Sequence, residues 1–181
     1  MKKTDSDTIL DHAVGLFRQK GYRSTSMSDI GKAAGLLKGS VYHHFPSKEA
    51  ILVGAVERLS DFFQDGCFAI AYDPDRSEAD RLIAMVDLIE AYFLEHRTCV
   101  MAHLAVEGLE EMPEANHRVS TFFAIWRDTF AHVLAPRYGG DTARTLAEDA
   151  IAQLEGAVVM LNIFDDIGSL TRASSNIKAL L

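Results

Sequence analysis

Apolar residues recur along this chain at intervals of three and four, and a few glycines and prolines cut the recurrence into helical segments. Ile9, Leu10, Ala13, Val14 and Phe17 form the first stripe, over residues 5–20, and Gly21 ends it. A shorter stripe of Met27, Ile30, Ala33 and Ala34 opens after Ser26, whose hydroxyl suits an N-cap with Asp29 as its reciprocal partner at the third helical position. Gly35 supplies the positive φ that stops this helix and turns the chain. From Leu37, an advance of 100° per residue puts Leu37, Val41 and Phe45 on one face and Gly39, Tyr42 and His43 on the other, with Lys38 and Ser40 at the edges. After Pro46, Ser47 caps a long helix that runs through Ile51, Leu52, Ala55, Leu59, Phe62 and Phe63 towards Tyr72, where Asp73-Pro74-Asp75 stops it.

The rest of the chain shows little β-type alternation and reads as helix over residues 77–96, 99–110, 113–135, 141–164 and from about 171. The expected fold class is therefore all-α: a three-helix head, residues 1–46, and a larger helical body, residues 47–181. No break separates the two, because the helix that opens at Ser47 carries no Gly or Pro at the junction.

Two short helices around a glycine turn, the second with one apolar and one polar face, make a helix-turn-helix. A helix offering Lys, Gly, Ser, Tyr and His from one side suits the DNA major groove, where glycine lets the backbone approach and the other side chains donate to bases and phosphates. Lys38, Gly39, Ser40 and His43 are the base-edge candidates, with phosphate or water contacts as the alternative for Ser40 and His43. Tyr42 suits a phosphate or a thymine methyl. Thr25 or Ser26, at a helix start, and the Lys48 ammonium suit phosphates. His44 lies nearer the apolar face, where packing or a phosphate contact is expected of it.

Charge sharpens this picture. The chain carries a net charge of −8, which taken whole argues against a nucleic-acid partner, yet residues 1–52 hold eight cationic against five anionic side chains, net +3, leaving −11 for the remainder. A basic head on an acidic body fits an anionic polymer held at one end only.

The run from Gly21 to Gly35, followed by Lys38-Gly39-Ser40-Val41-Tyr42-His43-His44-Phe45 and Ser47-Lys48-Glu49, resembles the amino-terminal domain of TetR-type transcriptional repressors over roughly the first 52 residues. Leu37 departs from the pattern, since many members place a capping Ser or Thr there. The resemblance implies a homodimer that grips a palindromic double-stranded operator, a small-molecule effector bound in the body, and a helix beginning at Ser47 that acts as a lever between effector and DNA. It also implies dimerisation through the last helices as a four-helix bundle. Residues 147–164 are the most apolar segment, and Ile151, Leu154, Val158 and Leu161 are the interface candidates, with an ordinary core helix as the alternative. Effector contacts are sought among Phe63, Tyr92, Met101, His103, Glu107, Phe122, Trp126 and Met160, although aromatic and soft side chains are also what fills helix bundles.

Other chemistry is thin. His103 and Glu107 stand one helical turn apart and can orient a polar ligand or pair with each other, but no nucleophile motif, phosphate loop or third metal ligand accompanies them. Neither an enzyme, nor a cofactor, nor a metal is expected. The two cysteines, Cys67 and Cys99, have no zinc spacing and suggest no disulfide framework. Cys99 follows Arg97 at a helix start, a setting that favours thiolate, and a short likeness to cysteine-based sensors of the same family makes a redox or electrophile switch the alternative function. No signal peptide or membrane-length apolar run is visible, so a cytoplasmic protein is expected.

Overall fold

A computed structural model of the chain describes residues 5–181, and the regular elements among them are helices throughout, with no strand. In chain order these are α1 (Asp5–Lys20), α2 (Met27–Ala33), α3 (Lys38–His44), α4 (Lys48–Gly66), a 3-10 turn (Phe68–Tyr72), α5 (Glu78–His96), α6 (Val100–Glu107), α7 (Pro113–Tyr138), α8 (Gly140–Phe164) and α9 (Gly168–Lys178). The protein is all-α.

The chain divides into two compact units. The first comprises the chain up to Asp61 together with Val100–Phe122, and the second comprises Phe62–Cys99 and Phe123–Leu181. Both α4 and α7 contribute residues to each unit.

In the first unit part of each stripe read from the sequence points inward, whereas Ala33 of α2 is exposed and Leu10, Val14 and Ala34 are only half-buried. Ile9, Ala13 and Phe17 of α1, Ile30 of α2, Val41 of α3 and Ile51 and Leu52 of α4 are fully or almost fully buried, joined by Met101 of α6 and Phe122 of α7. Phe17 meets Tyr22 edge to face at 5.5 Å, so the turn after α1 is folded back onto the helix it leaves. Ion pairs tie the outer surfaces together. Arg58 of α4 reaches Asp11 of α1 at 2.5 Å and Asp7 at 3.2 Å, and Arg118 of α7 pairs with Glu57 of α4.

The second unit is built on Leu82, Met85, Val86, Ile89 and Phe93 of α5, with Phe130, Val133 and Leu134 of α7 and Leu154 and Leu161 of α8 also in its core. Ser77 caps α5 by accepting a hydrogen bond from the Asp80 N–H at 3.1 Å. Lys178 near the end of α9 pairs with Asp87 at 2.5 Å and Glu90 at 3.4 Å, both on α5.

Helix ends differ from the sequence expectation for local reasons. The long helix from Ser47 stops at Gly66 rather than near Tyr72, because Cys67 donates its thiol to the Met85 carbonyl at 3.6 Å and a 3-10 turn buries Phe68 and Ala71 on one side. Helix α6 stops at Glu107, three residues early, because Gly108 takes φ +80°. Helix α7 runs past Ala135 through Pro136 to Tyr138, ending at Gly139 with φ +77°. Helix α9 starts at Gly168, not at Thr171.

Candidate nucleic-acid interface

Helix α2 begins as the sequence requires. The Ser26 hydroxyl accepts from the Asp29 N–H at 3.1 Å, the Asp29 carboxylate accepts from the Ser26 N–H at 2.9 Å, and Lys20 approaches the same carboxylate at 2.9 Å. The Lys20 ammonium and then the Ser26 donors hold the Asp29 carboxyl well below the usual carboxylate range. This capping box revises the part expected of Ser26, whose hydroxyl also donates to Asp29 at 2.7 Å. Thr25 is revised further: it is buried, and its hydroxyl donates to the Gly21 carbonyl at 2.7 Å. Both hydroxyls spend their donors inside the head rather than on an external anion.

Lys48 is also turned inward. Its ammonium donates to the carbonyls of Tyr22 at 2.9 Å and Thr25 at 2.8 Å, and lies 4.2 Å from the centroid of the Tyr22 ring. Burial lowers its pKa. The ammonium expected to meet a phosphate thus clasps the turn that carries α2 in this structure.

Helix α3 is held by Val41, which is fully buried, and turns Lys38, Gly39, Tyr42 and His43 to solvent, with Ser40 half-buried. Lys38 lies 5.7 Å from the Tyr42 ring centroid, so the two form one surface. A Cβ added at Gly39 would meet nothing within 4 Å, which leaves the backbone open to an approaching partner. His44 is drawn back to α1: its Nδ1 is 3.1 Å from the Ser6 hydroxyl and its Nε2 is 3.9 Å from the Asp5 carboxylate. Leu37 is corrected outright. Placed in the apolar stripe by the helical wheel, it is 81% exposed, because as N-cap it has extended backbone angles (φ −70°, ψ 148°) that take it off the helical register.

One contact gave no local signal. Glu107 at the end of α6 accepts from the Tyr22 N–H at 2.8 Å, while Arg23 donates to the Glu107 carbonyl at 3.2 Å and the Gly108 carbonyl at 3.3 Å. His103 stands 3.7 Å from the other Glu107 oxygen. Gly21 makes room: with φ +81°, an added Cβ there would sit 2.0 Å from that oxygen. Glu107 therefore anchors the head's turn, with His103 beside its other oxygen.

Of the remaining effector candidates, Phe63 and Tyr92 line one pocket of about 240 Å³ in the second unit, with Phe62, Leu88 and Ala91 as apolar wall and Glu95 and His96 as ionisable lining. Tyr92 packs edge to face on Phe63 at 4.8 Å and on His96 at 4.5 Å. Met101, Phe122 and Trp126 are core instead, Trp126 stacking on Phe68 at 6.3 Å. Met160 lies on the outside of α8.

That outer side corrects the interface residues as well. Leu154, Val158 and Leu161 are buried within the chain itself and Ile151 is half-buried, whereas Val159, Met160, Ile163 and Phe164 are exposed. Over its last turns α8 buries one apolar side in its own core and presents a second apolar side to solvent. Cys99 is buried beside Glu155, whose carboxyl it hydrogen-bonds and which burial pushes up to about 7. The Arg97 guanidinium is taken by the Leu161 carbonyl at 3.1 Å and Asp165 at 2.6 Å. No helix among the described residues is long and apolar enough to cross a membrane.

A head whose second short helix stands out on a buried valine, joined through continuous helix to an all-helical body, defines a helix-turn-helix DNA-binding regulator. Residues 9–55 match the family described as bacterial regulatory proteins, tetR family, and residues 79–176 match the LmrA/YxaF-like transcriptional regulator C-terminal domain. The chain belongs to the TetR family of transcriptional regulators. It is 41% identical over 59 residues, 33% of the chain, to IcaR of Staphylococcus epidermidis, a negative transcriptional regulator of the biofilm operon icaADBC. Over 90 residues, 49% of the chain, it is 39% identical to the transcriptional repressor KstR2 of Mycobacterium tuberculosis. These matches span only 32% and 43% of the two relatives' own lengths. A TetR transcriptional regulator from Legionella pneumophila superposes with a TM-score of 0.90 at 22% identity, covering 100% of this chain and 98% of that one. A TetR-family regulator from Agrobacterium tumefaciens does so at 0.84 and 26%, covering 97% and 96%.

Proposed function

We propose that this protein is a homodimeric repressor of nearby genes that grips a palindromic operator and is released by a small-molecule effector. Residues 1–46 are the DNA-binding portion and 47–181 the effector-binding and dimerising portion. The observation that carries the reading is the solvent-facing surface of α3, where Lys38, Gly39, Tyr42 and His43 stand clear of the head on the buried Val41. Each protomer would place this surface in the major groove, at half-site centres about one DNA turn apart. Ser40 sits at the edge of the contact, while Thr25, Ser26, His44 and Lys48 shape the helices that present it.

The apolar outer side of α8, with Val159, Met160, Ile163 and Phe164, supports dimerisation, and the small Gly156 on the same side allows close approach. The pocket that Phe63 and Tyr92 line supports an effector with an apolar body and one polar group. Because α4 carries Lys48 in its first turn and Phe63 in its last, an occupant that shifts this helix also shifts the clasp on the Tyr22–Thr25 turn. Coupling of about 1–3 kcal/mol is the usual range for such a device.

The test is fluorescence polarisation with DNA from upstream of the protein's own coding region against a scrambled duplex. Selective binding, stronger by about a thousandfold and weakened by Tyr42→Ala in a still dimeric protein, is expected. Equal binding to both duplexes, with no site recovered from a random-sequence pool, overturns the reading.

A second reading changes only the input. In it Cys99, which hydrogen-bonds the Glu155 carboxyl, is the group that an oxidant or electrophile modifies. Release of DNA by such a reagent in the wild type but not in Cys99→Ser distinguishes it from effector binding.

A further inference from the structure

The two helices of the helix-turn-helix start in opposite ways. Helix α2 has a complete capping box, whereas α3 starts at Leu37 with no side-chain cap at all. Leucine is a poor N-cap, because it offers no acceptor to the first-turn N–H groups. At 81% exposed, it also leaves a whole apolar side chain in water, against 45% for Tyr42. Neither helix propensity nor core packing accounts for it. It opens the helix whose Lys38, Gly39, Tyr42 and His43 are assigned to DNA in the proposed function, on which this inference rests.

An isobutyl group cannot hydrogen-bond a phosphate or a base edge. What the major groove does offer it is the 5-methyl group of thymine, the one apolar feature by which an A·T pair is told from the others. We infer that Leu37 is a specificity-determining residue that reads a thymine methyl in each operator half-site. The head carries net positive charge over residues 1–52, so phosphate attraction brings the helix in without sequence preference, and Leu37 adds an apolar contact that depends on the base.

The experiment takes the operator found by selection and replaces its thymines, one symmetry-related pair at a time, with deoxyuridine, which lacks only the methyl. For the wild type, one pair of replacements should weaken binding by about fourfold per methyl, or about sixteenfold for two half-sites. Leu37→Ala should bind the thymine and deoxyuridine duplexes equally. Leu37→Ser should do the same while melting at a higher temperature than the wild type, since serine restores the missing cap; that gain also shows the head intact.

Insensitivity of the wild type to every replacement, or discrimination retained in Leu37→Ala, overturns the assignment while leaving DNA binding in place. So does methyl sensitivity that disappears in Tyr42→Ala and persists in Leu37→Ala. Failure to select any operator would instead remove the DNA-binding reading itself, and this inference with it.

Discussion

Glu107 and Tyr22, 85 residues apart in sequence, meet through a 2.8 Å hydrogen bond from the Tyr22 backbone N–H to the Glu107 carboxylate. The bond ties the last turn of α6 to the segment that positions α2. Glu107→Ala would leave a part-buried N–H without its acceptor, at a cost of about 1–2 kcal/mol, or a fall of several degrees in melting temperature. Gly21→Ala should cost at least as much, because alanine resists the positive φ and its Cβ displaces the same carboxylate. Thermal melts of both variants check this, and an unchanged melting temperature for Glu107→Ala would show the bond to be idle.

Lys48→Met separates a clasp from a phosphate contact. With its ammonium held by the Tyr22 and Thr25 carbonyls, the variant should melt lower and bind the operator more weakly, yet keep the wild-type salt dependence. A phosphate contact would instead lower the slope of log K against log salt by about one. Operator titrations at several salt concentrations decide between them.

The two sides of α8 should respond differently to charge. Ile163→Asp places a carboxylate on the exposed side and is expected to yield a folded monomer in sedimentation, with operator affinity lost alongside the dimer. Leu154→Asp puts the same group into the chain's own core and should unfold the protein. A dimeric Ile163→Asp variant would move the interface elsewhere.

Glu155 sets a pH dependence. Its folded-state pKa is about 7, held up by burial, against about 4.3 for an unfolded glutamate. Stability tied to this raised value is fully present below about pH 4 and is lost as pH rises through 7. Glu155→Gln removes the titration, so its advantage over the wild type should grow by roughly 2–3 kcal/mol between pH 5 and pH 8. Denaturant unfolding at the two pH values measures it, and parallel behaviour of the two proteins would place the carboxyl in water.

The head was legible where interactions are local. Ser26 and Asp29 are three residues apart, and Gly21 and Gly35 end helices by their own backbone freedom, so the sequence suffices for both. Leu37 was misplaced because a helical wheel assumes helical angles at a residue that has extended ones. For Leu154, Val158 and Leu161 periodicity left interface and core both open, because it marks a helix as apolar without saying which side meets its own chain; they are buried within it. The pairing of Glu107 with Tyr22 leaves no trace in spacing at all, since its two halves lie on segments that only folding brings together. The same holds for the cavity of the second unit, whose walls Phe63, Leu88 and Tyr92 come from helices that only folding brings together.

Because α6 and the start of α7 cluster with the helix-turn-helix, the head is not a cassette that can be cut from the chain at one point. A chimaera that grafts residues 1–46 onto a related body would bring Gly21 and Tyr22 but inherit a foreign residue at position 107. Exchange of operator preference between relatives then succeeds only when the graft travels with its distant acceptor, or when the recipient already places a carboxylate there.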